Sequence, residues 1–174
     1  DGTVLDTSAP VQSLIDNVSA ISAGQNHSIF LKADGTAWVT SPSGITIVTE
    51  GSGSALLDNV KAIAAGDFHN LFLKNDGTVW ASGSQDNGAM GIGSIASHNN
   101  MAVAQPVGIS NVKAISAGEY HSLFLKTDGT VWATGHNNGM FLNGSTDNTR
   151  VPVQSLITGI VDISAGTYHS IFLK

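Results

Sequence analysis

AGEYHSLFLKTDGTVWATG, residues 117–135, decides how this chain is read. Gly118 marks a turn, and HSLFLK (121–126) then reads as a strand. Thr127-Asp128-Gly129 is a hairpin signal of the Asp-Gly kind, in which glycine supplies the positive φ that a side chain resists. TVWATG (130–135) reads as the next strand. Upstream, Val112, Ala114 and Ser116 alternate with Lys113, Ile115 and Ala117, as a short strand does. Downstream, a variable Asn/Gly-rich loop leads to a fourth β segment, VPVQSL (151–156).

The same part recurs along the chain. AGQNHSIFLKADGTAW (23–38) and AGDFHNLFLKNDGTVW (65–80) repeat it, and AGTYHSIFLK (165–174) repeats its first half. The motif glycines Gly24, Gly66, Gly118 and Gly166 are 42, 52 and 48 residues apart. Each copy has an apolar lead-in: NVSAIS (17–22), NVKAIA (59–64), NVKAIS (111–116) and IVDIS (160–164). Fourth segments recur as AVAQPV (102–107) and PVQSL (10–14). Four short strands per unit of roughly 40–50 residues is the signature of a propeller blade. A helical reading fails, because no stretch keeps a 3.6-residue apolar period and Gly or Pro interrupts throughout. The expectation is an all-β protein, a β-propeller forming one domain over residues 1–174. Its blade motifs lie near 17–40, 59–83, 111–135 and 160–174, the last continuing in register with DGTVL (1–5).

The string V-x-A-I-x-A-G-x-x-H-S-L-x-L-K-x-D-G-T-V-W-A-x-G, followed in one copy by NNG (137–139), closely resembles the regulator of chromosome condensation repeat. The resemblance runs over essentially the whole chain and implies a β-propeller, usually of seven blades. The copies depart from the family pattern after the tryptophan. The usual Gly-Gln-Leu-Gly ending the outer hairpin survives loosely as GAMGIG (88–93) and GMFLNG (139–144), and SPSGITIVTEGSGS (41–54) replaces it in the unit starting at Asp34. GAMGIG, in a hairpin context, carries no dinucleotide site. Lys174 could be followed by Asp1 without breaking the repeat. That leaves three arrangements: a slice of a larger propeller, a ring completed by oligomerisation, or a small closed ring.

Composition narrows the function. Hydrophobic residues make up 41% of 174 residues, with no apolar run long enough to insert in a membrane. Charged residues are only 11%, and Gly, Ser, Thr and Asn take their place. The net charge is −6 and the seven Lys and Arg are scattered, so no basic face for nucleic acid is visible. The absence of cysteine removes disulfides and thiolate metal sites. The low charge and lack of Cys lean toward a secreted or cell-surface protein and are compatible with a cytoplasmic one.

His27, His69, His121 and His169 share one repeat position. Repetition spreads them around an axis, and no co-ligand recurs beside them, so a metal site with converging ligands is not expected. They are expected to follow the Gly turn and bond nearby backbone, and the family resemblance also implies a structural role. Asp1, Asp34, Asp76 and Asp128 are read as turn formers, one per hairpin tip, and not as an acid–base pair. Trp38, Trp80 and Trp132 are expected to pack between blades. No nucleophile motif, phosphate loop, calcium loop or cofactor site is recognisable, so the reading is a non-catalytic protein without a cofactor.

Within A-G-x-x-H, the two middle residues vary: Gln25-Asn26, Asp67-Phe68, Glu119-Tyr120 and Thr167-Tyr168. Repetition places these pairs on one rim, with Phe68, Tyr120 and Tyr168 facing solvent beside Asp67 and Glu119. Aromatic residues with a polar handle are enriched at binding surfaces. In propellers of similar sequence this rim meets a protein. The leading expectation is therefore a repeat scaffold binding a protein partner through one face. The alternatives are a structural tile that self-associates through its in-register ends, and lectin-like binding of carbohydrate.

Overall fold

The computed structural model describes residues 15–41, 44–51, 55–93 and 100–174. DGTVL (1–5), PVQSL (10–14) and His98 lie outside the described residues. The first blade is an antiparallel sheet of β1 (Val18–Ala23), β2 (Ser28–Lys32), β3 (Ala37–Ser41) and β4 (Gly44–Ile47). The short β5 (Thr49–Glu50) and β6 (Ala55–Leu56) follow. The second blade contains β7 (Val60–Ala65), β8 (His69–Lys74), β9 (Val79–Gly83) and β10 (Asn100–Pro106). The third contains β11 (Val112–Ala117), β12 (His121–Lys126), β13 (Val131–Gly135) and β14 (Thr149–Gln154). The fourth, among the described residues, contains β15 (Asp162–Ala165) and β16 (Ser170–Leu173). The chain is thus all-β, built from four propeller-blade repeats.

Two details differ from the simple repeat. After β4 the chain crosses to the second blade, where β5 pairs in parallel with β10 and extends that sheet to six strands. GAMGIG lies in the connection between the antiparallel strands β9 and β10. A 3-10 turn at Asp86–Gly88 there directs Met90 into the interface with the third blade, and the Ala89 and Gly88 carbonyls accept bonds from Ser122 Oγ (2.7 Å) and Thr134 Oγ1 (3.0 Å). Phe141 of GMFLNG is likewise fully buried, against the fourth blade.

Local chemistry explains why each unit is so alike. In the three Asp-Gly-Thr tips among the described residues, the threonine N–H and Oγ1–H both donate to one aspartate oxygen, at 2.9 and 2.7 Å. These bonds, the side-chain one first, hold the Asp34, Asp76 and Asp128 carboxyls below their usual range. Gly35, Gly77 and Gly129 take φ of 83°, 83° and 80°, as the turn requires. Each lead-in begins with a left-handed residue: Asn17, Asn59 and Asn111 at φ 52°, 55° and 59°, and Gly159 in the fourth copy. Asparagine is among the few side chains that enter this region readily. A register shift follows at Val18/Ala20, Val60/Ala62 and Val112/Ala114, so the first strand of each complete blade carries the same irregularity.

The core is a stack of interfaces between consecutive blades. Along β2, β8 and β12, alternate residues point to opposite faces. Ile29 and Leu31 of the first blade meet Phe72, Ile63 and Trp80 of the second. Leu71 and Leu73 meet Phe124, Ile115 and Trp132 of the third. Leu123 and Leu125 meet Ile163 and Phe172 of the fourth. Each blade therefore has a forward face, carrying the Leu/Ile pair, and a backward face, carrying the lead-in Ile and the Phe. Burying one such aliphatic side chain contributes about 1.5–3 kcal/mol.

Candidate functional site

The A-G-x-x-H turn carries both the fastening chemistry and the variable pair. Its glycine is required by close approach. A Cβ on Gly118 would lie 2.5 Å from the Gly166 carbonyl oxygen and 2.6 Å from His121 Nδ1. The histidine ring folds back over its own glycine and reaches the next blade. His27 Nε2 is 2.6 Å from Asn70 Oδ1, His69 Nε2 is 2.8 Å from Ser122 Oγ, and His121 Nε2 is 3.2 Å from Ser170 Oγ. The expected bond to nearby backbone is therefore replaced by a side-chain tie across the blade interface. The Ser122 hydroxyl proton is committed to the Ala89 carbonyl, so His69 donates from Nε2–H to Ser122 Oγ. Its Nδ1 is left buried without a hydrogen-bond partner, as is that of His121.

Burial, and secondarily the neighbouring imidazoles, pushes His69 down to about 3 and His121 down to about 4. Both rings are neutral at physiological pH. Among the described residues no three His, Cys, Asp or Glu side chains are grouped to hold a metal ion.

Further ties run beside the histidines. Ala65 N–H donates to Ser22 Oγ and Ala165 N–H to Ser116 Oγ, each at 2.9 Å. Val60, Val112 and Ile160 N–H donate to the tip carbonyls of Gly35, Gly77 and Gly129 at 3.0, 3.0 and 3.1 Å. Trp80 and Trp132 pack in the blade interfaces, and Trp38 is half-buried on the first blade. The ammonium groups of Lys32, Lys74 and Lys126 lie 5.5, 5.6 and 5.4 Å from the Trp38, Trp80 and Trp132 ring centroids. That distance gives a cation–π contact.

The variable pairs are not equivalent. Gln25 and Asn26 are exposed and bond one another, with Asn26 Nδ2 donating to Gln25 Oε1 at 3.1 Å. Phe68 and Tyr120 stack with centroids 5.6 Å apart and planes 22° from parallel. Both are half-buried, whereas Tyr168 is 63% exposed and Thr167 is exposed. Glu119, expected as a solvent-facing contact, is buried. Glu119 in turn holds the Tyr120 and Tyr168 phenols above their usual range, chiefly through hydrogen bonding to its side chain and then through burial and its charge. The charges of Asp67 and, for Tyr120, Asp86 act in the same direction. Phe68, Tyr120, Tyr168, Asp67 and Glu119 therefore form one aromatic and acidic cluster across three blades, while Gln25 and Asn26 remain outside it.

Two models of the Regulator of chromosome condensation (RCC1) repeat match the sequence, one over residues 60–89 and 112–139 and the other over 76–125. The stretch 60–139 thus matches regulator of chromosome condensation repeats. The backbone agrees in fold with solved structures. Prp20p from Saccharomyces cerevisiae superposes with a TM-score of 0.70 at 19% identity, covering 90% of this chain and 43% of that one. Yeast RCC1 (Prp20) bound to Kap60 gives a TM-score of 0.70 at 24% identity, covering 89% and 39%. Human WBSCR16 gives 0.61 at 14% identity, covering 93% and 59%. The chain thus spans less than two thirds of each of these structures. No curated protein matches its sequence.

Proposed function

We propose that this repeat array is a non-catalytic scaffold that binds a protein through the rim formed by the A-G-x-x-H turns. The observation that carries this is the cluster of Phe68, Tyr120 and Tyr168 around Glu119, with Asp67 beside it. Flat aromatic area gives contact at low entropic cost, and the carboxylates favour a partner presenting Lys or Arg. The chain's net charge of −6 acts in the same sense. Solved propellers of similar fold support the reading: one is described with binding to Gsp1p and histones, another in complex with Kap60. A histone titration followed by fluorescence anisotropy tests it. Replacing Phe68, Tyr120 and Tyr168 together with Ala is expected to weaken binding at least tenfold with unchanged circular dichroism. Unchanged affinity in the folded triple variant would reject the rim.

A further inference from the structure

A lysine closes the second strand of the first three blades, but only two of the three have a carboxylate partner. Lys32 pairs with Asp16 at 3.0 Å. Lys74 pairs with Asp58 at 3.5 Å and with Glu50 of β5 at 2.8 Å. Asp16 and Asp58 each stand sixteen residues before their lysine, next to the left-handed Asn17 and Asn59. In the third copy that position is Ser110, and among the described residues β5 has no counterpart there. Lys126 accordingly has no salt bridge among the described residues.

The unpaired lysine borders a groove. A space of about 470 Å³ between the second and third blades is walled by Ile92, Ile109, Trp132, Val151 and Pro152. Lys126 and Ser110 also line it, and no carboxylate does. The Lys126 ammonium is 5.4 Å from the Trp132 centroid, as that of Lys74 is 5.6 Å from Trp80, so the indole positions it without the acid. A second groove of about 420 Å³, beside Trp80, shares Ile109 and Ser110 with the first. There Lys74 is already matched by Glu50 and Asp58. Lys126 lies at the other end of β12 from the A-G-x-x-H turn, away from the rim.

We propose that this groove is a further docking site, for an extended protein segment presenting a single carboxylate beside an apolar side chain. The ligand carboxylate takes the place that Asp16 and Asp58 fill in the other copies. It accepts from the Lys126 ammonium and the Ser110 hydroxyl, while the apolar neighbour packs on Trp132, Ile92 and Val151. The complementarity is one the chain already uses, because the repeat itself pairs a carboxylate with this lysine twice. Lys126 is half-buried, so its charge counts for more than that of a fully exposed lysine. The net charge of −6 repels a polyacidic chain at long range, which favours one carboxylate among apolar residues over an acidic run. The continuation past Ile109 and Ser110 into the neighbouring groove suits an extended segment.

Heteronuclear NMR of the 174-residue chain, titrated with the blocked peptide acetyl-Leu-Glu-Leu-amide, tests the site. Saturable shifts are expected at Ile92, Ile109, Trp132 and Val151. The peptide with Gln in place of Glu should bind about tenfold more weakly, as loss of a charge-assisted bond requires. Ser110→Asp rebuilds the pair of the other copies, so it should weaken binding about tenfold with a urea midpoint no lower than that of the wild type. Lys126→Gln should lose a similar share of affinity. Lys32→Gln, at the equivalent position of the first blade, should leave binding unchanged. The triple rim variant should also keep it, so failure of the groove and failure of the rim are told apart. No saturable shifts at these residues with millimolar peptide would overturn the site, as would an affinity that neither Ser110→Asp nor Lys126→Gln reduces. Shifts there with glucuronate and none with the peptide would overturn the assignment to a protein segment.

Discussion

The stretches around β12 and β16 carry nearly the same sequence, HSLFLK at 121–126 and HSIFLK at 169–174, and lie in opposite environments. His121 and Leu125 are fully buried, while His169 is exposed and Leu173 is 59% exposed. Nothing within the strand accounts for the difference. The third blade has a neighbour on its forward side and the fourth, among the described residues, does not. A repeat sequence therefore specifies a surface that becomes core only when the next unit arrives, which is the general behaviour of repeat architectures.

The comparison can be broken by mutation. Leu125→Ala should destabilise the chain by about 2–5 kcal/mol, because it leaves a cavity in a closed interface. Leu173→Ala should stay within about 0.5 kcal/mol, as for other exposed positions. Urea unfolding of the two variants measures both, and equal losses would contradict the contrast. Gly118→Ala should cost about 1–3 kcal/mol through overpacking against the neighbouring carbonyl and the fixed His121 ring. Gly166→Ala should cost less, since only the exposed His169 ring must move aside.

Acid sharpens the same contrast. His69 and His121 titrate at about 3 and about 4 in the folded chain, below the ordinary 6.5. Between these values and 6.5 the unfolded chain binds protons that the folded chain refuses, so stability falls as pH falls through that window. His69→Gln should flatten the urea midpoint between pH 6.5 and 4, and an unchanged slope would show that the ring is not held neutral by burial. The smallest effects belong to the hairpin tips. Asp34→Ala, Asp76→Ala and Asp128→Ala should give small losses of similar size, because each exposed tip makes the same two bonds.

Much of this was legible in the sequence. The recurrence of A-G-x-x-H and D-G-T set the blade count and strand order, since turns of this kind depend on local chemistry. The asparagines opening the lead-ins were a missed local signal: Asn17, Asn59 and Asn111 are there for their left-handed backbone. Other features depended on neighbours that a linear reading does not contain. The histidine tie needs Asn70, Ser122 or Ser170 from 43 to 53 residues away. Glu119 looked like a surface carboxylate because its two tyrosine partners sit on either side of a blade boundary. The parallel addition of β5 to β10 had no periodic counterpart in the other copies.

The central claim is that the repeated histidine fastens blade to blade and does not serve the rim. A double-mutant cycle with His69→Ala and Ser122→Ala, read by urea unfolding, tests it most directly. A coupling of about 0.5–3 kcal/mol between the two residues is expected for partners in one buried bond. Effects that add independently would contradict the tie and return the histidine to the list of residues without an assigned role.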